Sequence, residues 1–227
     1  MLDDDILRIP IRRNHLRKDI PAPPIRCANL EIDERGYPLP YFAGLFDGKR
    51  DHRIMDEERW VRCVKQKLCW VCGAKLGAYY AFILGPMCGI TRTSSEPPSH
   101  RECAEWSLRG CPFLTRPHME RRQHDQIVVS GGIAAGYAIK RNPGCLLLWI
   151  TRSYEVWKPE GGGYLITVGD PLEWSWWAEG RPATRAEIEE SVRTGLPLLE
   201  EQADQQSAEA LADLERSAAR LREMYPA

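Results

Sequence analysis

The sequence predicts an α+β protein: a cysteine- and histidine-bearing N-terminal half, then antiparallel β-hairpins and C-terminal helices. Three observations carry that expectation. Short β-branched and aromatic runs bounded by glycine and proline (Tyr79–Leu84, Cys145–Thr151, Tyr164–Val168) have the length and content of strands. Other stretches carry apolar residues at three- and four-residue spacing behind a capping residue, as helices do. At 227 residues the chain is long enough to bury a core without help from a metal or a disulfide.

Taken in order, residues 1–26 mix charge with Pro10, Pro21, Pro23 and Pro24, and predict an extended basic arm. Residues 27–46 suggest a hairpin, with arms Ala28–Ile32 and Tyr37–Phe42 around Glu34-Arg35-Gly36 and a further turn at Asp47-Gly48-Lys49. Asp56 is a helix N-cap, and Trp60, Val61 and Val64 give the following helix, Glu57 to Lys65, its apolar face.

The central stretch bears the chemistry. Cys69-Trp70-Val71-Cys72-Gly73 is a C-x-x-C turn in which glycine lets the backbone bend, and about thirty residues later comes His100-Arg101-Glu102-Cys103. Two such spaced pairs match a tetrahedral structural zinc site, giving the candidate ligands Cys69, Cys72, His100 and Cys103 and one structural zinc ion. Between the pairs, Gly85-Pro86 reads as a turn joining Tyr79–Leu84 to a second strand, Cys88–Thr93. Ser99 and Glu102 form an S-x-x-E capping box, which places His100 and Cys103 in the first turn of one helix. Gly110 and Pro112 end that helix. Cys111 lies about two turns beyond Cys103, more than ~10 Å along the helix axis, so Cys111 and Cys88 are reserve ligands only.

Knuckle, hairpin and a helix carrying two ligands follow the order of a treble-clef zinc finger, and residues 68–112 resemble that fold. The longer string from Arg62 through Gly85-Pro86-Met87-Cys88 to Cys111-Pro112-Phe113-Leu114 is similar to uncharacterised proteins of phage and prophage origin, which have no assigned activity. That resemblance implies a phage-encoded accessory protein, for instance one that binds and inhibits a host defence complex.

The rest of the chain predicts further hairpins. Gln126–Val129 reads as a strand, and the glycines of residues 131–136 lack the spacing of a phosphate loop. A hairpin folds Glu155–Lys158 onto Tyr164–Val168, and Trp174, Trp176 and Trp177 are assigned to core packing. Thr184 and Glu187 repeat the capping box for a helix ending near Gly195. A second helix, from Leu198 to about Met224, carries a stripe of Ala208, Leu211, Leu214, Ala218 and Leu221 suited to docking on its own domain or to self-association. The domain reading is an arm (1–26), a zinc-binding region (27–125) and a β region with C-terminal helices (126–227), the last two able to pack as one.

Composition narrows the function. Thirty-one Lys and Arg against thirty-two Asp and Glu leave a net charge of −1, so overall charge names no partner. The distribution is uneven, with Arg92, Arg101, Arg109, Arg116, Arg121 and Arg122 flanking the cysteines as candidate contacts to nucleic acid or to a partner protein. No apolar leader or membrane-length run is present, and the expectation is a cytoplasmic protein whose eight cysteines are thiols or ligands. Four protein ligands leave zinc no open position for water. The expected function is therefore binding without catalysis, directed at a protein complex or nucleic acid. The enzymatic alternative is an HNH-like metal-dependent nuclease, but that chemistry needs a histidine base on the first hairpin strand, and Tyr79–Leu84 has none.

Overall fold

The computed structural model describes residues 15–116, 142–160 and 163–227. The arm segment from His15 passes over a single 3-10 turn, Ile25–Cys27. It is followed by β1 (Ala43–Phe46), β2 (Lys49–Met55), α1 (Glu57–Gln66), β3 (Tyr80–Leu84), α2 (Pro86–Thr91), β4 (Thr93–Ser94), α3 (Arg101–Gly110) and α4 (Pro112–Thr115). After residue 141 come β5 (Leu146–Thr151), β6 (Tyr154–Trp157), β7 (Leu165–Val168), β8 (Glu173–Ala178), β9 (Arg181–Pro182), α5 (Arg185–Gln206) and α6 (Ala208–Glu223). The α+β class is as expected.

The central sheet has the order β3-β5-β8-β9, with each neighbouring pair antiparallel. β5 lies inside it and is buried along its whole length, which explains its unbroken apolar run. Its alternate residues serve two cores. Leu146, Leu148 and Ile150 pack with Ala81, Ala104, Leu108 and Trp177 on the α3 side. Leu147 and Trp149 face the larger cluster, which includes Phe82, Leu84, Ile188, Val192 and Leu221. β3, from the cysteine-bearing half, has β5 as its strand partner, so the two halves share one sheet.

Several local expectations are corrected. The hairpin assigned to residues 28–42 shrinks to one bridge between Ile32 and Pro38, and the regular hairpin is β1–β2, turning at Asp47-Gly48. The second strand predicted at residues 88–93 is the helix α2. Gly85 is its N-cap and Pro86 occupies the first turn, where a missing N–H costs nothing, so the dipeptide starts a helix instead of turning a hairpin. α5 runs through Gly195 and Pro197. Gly195 packs against Met87 of α2, where a Cβ would stand 3.0 Å from the Met87 sulfur and the thioether would have to shift by a few tenths of an ångström. The break falls at Ser207, whose side chain accepts the Ala210 N–H and so caps α6.

Other expectations hold. Asp56 caps α1 through the Arg59 N–H, Thr184 and Glu187 form a reciprocal capping box, and β6 pairs with β7. Trp176 and Trp177 are buried as expected, whereas the core assignment of Trp174 is corrected: it is exposed and joins Trp176 in donating to the Met224 carbonyl. The α6 stripe docks inside the chain, with Ala218 and Leu221 buried against the main core. Buried Asn142 donates from Nδ2 to the carbonyls of Phe113 and Arg116 (3.2 Å to the latter), clasping the end of α4 to the start of the segment leading into β5. The strand expected at Gln126–Val129 and the 131–136 glycines lie outside the described residues. Among those described, no helix is long and apolar enough to cross a membrane.

Candidate metal centre

The knuckle begins where α1 stops. Lys67 takes a left-handed conformation, φ 53°, and the Leu68 N–H returns to the Cys63 carbonyl, which turns the chain sharply. A short ladder follows, with Cys69 N–H donating to Ala74 O at 2.7 Å and Leu76 N–H to Lys67 O at 2.8 Å. Gly73 sits at φ 75°, with its N–H on Cys69 O, and its bare Cα is covered by the Tyr41 ring; a Cβ there would lie 2.6 Å from that ring. The turn thereby points both sulfurs the same way. Cys69 Sγ also accepts the N–H groups of Cys72 (3.5 Å) and His100 (3.4 Å).

The second ligand pair is delivered by backbone pairing. Trp70 N–H donates to Pro98 O, and Ser99 exchanges both backbone hydrogen bonds with Ala81 of β3. That bridge holds Ser99 in the sheet, so the cap position passes one residue on: His100 is the N-cap of α3 and Cys103 its third residue. The predicted Ser99–Glu102 capping box is absent for this reason. A spacing of three still brings the side chains together, with His100 Nδ1 3.4 Å from Cys72 Sγ and 3.9 Å from Cys103 Sγ.

The ligand atoms of Cys69, Cys72, His100 and Cys103 all lie within 4.8 Å of one another. A tetrahedral zinc with Zn–S near 2.3 Å and Zn–N near 2.0–2.1 Å requires edges of about 3.6–3.8 Å, which the His100 contacts bracket. The protein groups alone do not all ionise together. Neighbouring Cys27, Cys69 and Cys72, with burial, push the Cys103 thiol far above its ordinary range. Burial opposes ionisation of Cys69, but hydrogen bonds from Cys103, Cys72 and His100 outweigh it and hold that thiol far below. A bound divalent cation would relieve this conflict by stabilising all three thiolates at once. Chemistry and spacing of the donors thus fit one metal ion of the zinc class.

Cys111 is at the opposite end of α3 and Cys88 is exposed on α2, so neither reserve joins the cluster. Cys63 lies buried behind the knuckle, where burial pushes its thiol up to about 12. Sequence spacing gave no sign of Cys27. It approaches from the arm, with its sulfur 3.6 Å from that of Cys103.

The arginines named from sequence are spread out. Arg92 donates to Val168 O and pairs with Asp170, and Arg101 pairs with Glu105 and Glu173. Arg109 stacks over Trp177, and Arg116 is exposed at the end of α4. Arg121 and Arg122 lie outside the described residues.

Where the treble-clef order expects a second hairpin strand after β3, the chain forms the helix α2. Comparison with known proteins finds no matching family model, no matching curated protein and no matching solved structure, so the likeness to phage proteins gains no support from it.

Proposed function

We propose that this protein is a non-enzymatic, zinc-stabilised binding protein that recognises a protein surface. The carrying observation is the converged Cys3His donor set: four protein ligands saturate a tetrahedral ion, which suits a structural site and leaves no position for a reacting water. Protein is favoured over nucleic acid because Arg92 and Arg101, which would have been phosphate forks, are ion-paired within the chain. The exposed apolar residues Leu45 and Phe46 at the end of β1 suit a protein contact better than a phosphate backbone. An accessory role against a host defence complex is one setting for such a binder and rests on the resemblance alone. The HNH-like nuclease reading would need a histidine base on β3, whose residues are Tyr80-Ala81-Phe82-Ile83-Leu84.

The test pairs metal analysis with fluorescence anisotropy. The purified protein is expected to contain one zinc per chain and to leave labelled DNA and RNA unbound at about 50 mM salt. Tight binding that weakens steeply as salt rises would overturn the choice of partner, and magnesium- or manganese-dependent cleavage of plasmid DNA would overturn the non-enzymatic reading.

A further inference from the structure

Cys27 brings to the cluster a sulfur that the donor set does not use. It is buried, its partner Cys103 is fully buried, and their sulfurs are 3.6 Å apart, close to van der Waals contact. The contact is held in register from both sides. Arg26 pairs with Glu102 at 2.7 Å, and the Trp106 indole donates to Pro21 O at 2.8 Å, so neighbours of each cysteine tie the arm to α3. Ile20 packs against Gly110 farther along the same helix. Forming a bond of about 2.05 Å from this separation requires the sulfurs to close by roughly 1.6 Å.

We propose that Cys27 is a resolving thiol for the metal centre: on oxidation by hydrogen peroxide it forms a disulfide with Cys103 and the zinc is released. The inference rests on the zinc reading of the Cys69, Cys72, His100 and Cys103 cluster. A zinc-bound thiolate is already deprotonated and remains a nucleophile. Peroxide, small enough to enter beside the half-buried Cys72 and His100, is attacked by Cys103 sulfur. An S–O bond forms and the O–O bond breaks, and hydroxide leaves into solvent. Cys103 is now a sulfenic acid and a poor ligand. The Cys27 sulfur attacks the Cys103 sulfur, the S–S bond forms, the S–O bond breaks, and the departing hydroxide leaves as water with the Cys27 proton. One thiolate, one thiol and one peroxide have become one disulfide, one water and one hydroxide, and the ion has lost one of its four ligands.

This arrangement differs from a C-x-x-C switch, in which both sulfurs are ligands. Here the resolving thiol is spare, so reduction of a single disulfide restores the complete donor set. The oxidised state would also bond the arm covalently to α3.

The experiment treats zinc-loaded full-length protein with a several-fold molar excess of hydrogen peroxide, reads zinc release with a chromogenic chelator, and maps disulfides by mass spectrometry of an unreduced digest. The expected result is a Cys27–Cys103 linked peptide appearing together with about one equivalent of zinc, both reversed by reductant and added zinc. Cys27→Ser is expected to keep one zinc when reduced and to lose the reversibility, its Cys103 advancing to sulfinic acid. Predominance of a Cys69–Cys72 disulfide, reversible release in Cys27→Ser, or failure of reduced Cys27→Ser to hold zinc would each overturn the proposal. Absence of zinc from the reduced wild-type protein would instead sink the zinc reading, a separate outcome measured before any oxidant is added.

Discussion

The imidazole Nε2 of His100 lies 3.1 Å from the backbone oxygen of Lys75. A carbonyl only accepts, so Nε2 carries a proton, and Nδ1 is the nitrogen that would offer its lone pair to a metal ion held by the cysteine sulfurs. The knuckle thus supplies two sulfurs and also fixes the tautomer of the third element's ligand. His100→Ala is expected to weaken zinc affinity on the order of 100-fold or more, as read by competition with a chelator of known affinity. Retention of wild-type affinity would remove His100 from the donor set.

The two buried sulfurs bear on folding as much as on metal. Cys69→Ser or Cys103→Ser is expected to release the ion and lower the melting temperature by about 10 °C or more, a loss of several kcal/mol at roughly 2–4 °C per kcal/mol for a chain of this size. Differential scanning calorimetry beside metal analysis checks both, and an unchanged melt with one zinc still bound would refute the assignment.

Why the cluster of candidate ligands was legible in the sequence, while the path between them was not, comes down to the range of the determining contacts. Cys69 to Cys72 and His100 to Cys103 are local spacings, set by a turn and by a helix turn. The identity of residues 86–91 depended on the strand partner of β3, and that partner is β5, more than sixty residues on. With its hydrogen bonds taken by β5, β3 needed no local hairpin, and Pro86 was free to open a helix. Cys27 escaped notice for the same reason: only the docking of the arm on α3 brings it to Cys103. Gly195 misled because a helix-ending signal was, in the folded chain, a space kept for Met87.

Gly73 combines a left-handed backbone with the Tyr41 ring on its Cα, so any side chain meets two obstacles. Gly73→Ala is expected to cost about 1–2 kcal/mol from the backbone alone, and more from the ring contact. Chemical denaturation should register that loss, accompanied by weaker zinc retention because the two sulfurs are re-aimed. Replacing Tyr41 with Ala in the same chain should recover only the steric part.

Asp51 of β2 is buried and grips Arg53 through both carboxylate oxygens. Hydrogen bonding to Arg53, against the cost of burial, lowers its pKa to about 2. A depressed carboxylate stabilises the folded chain above its ordinary pKa and loses that contribution as pH falls through the folded value, here between about pH 4 and pH 2. The contribution near neutrality is about 1–2 kcal/mol after allowing for the partly exposed arginine. Asp51→Asn should lose it at pH 7 and flatten the acid limb of a stability-versus-pH profile over that interval; an unchanged profile would show the pair to be inert.

The Asn142 clasp couples two parts of the fold. One buried amide holds the carbonyls of Phe113 and Arg116, so the end of α4 is fastened beside the lead-in to β5. α4 follows α3, which is capped by His100 and carries Cys103, while β5 is the strand that pairs with β3. A single side chain thus joins the helix bearing half of the donor set to the central sheet.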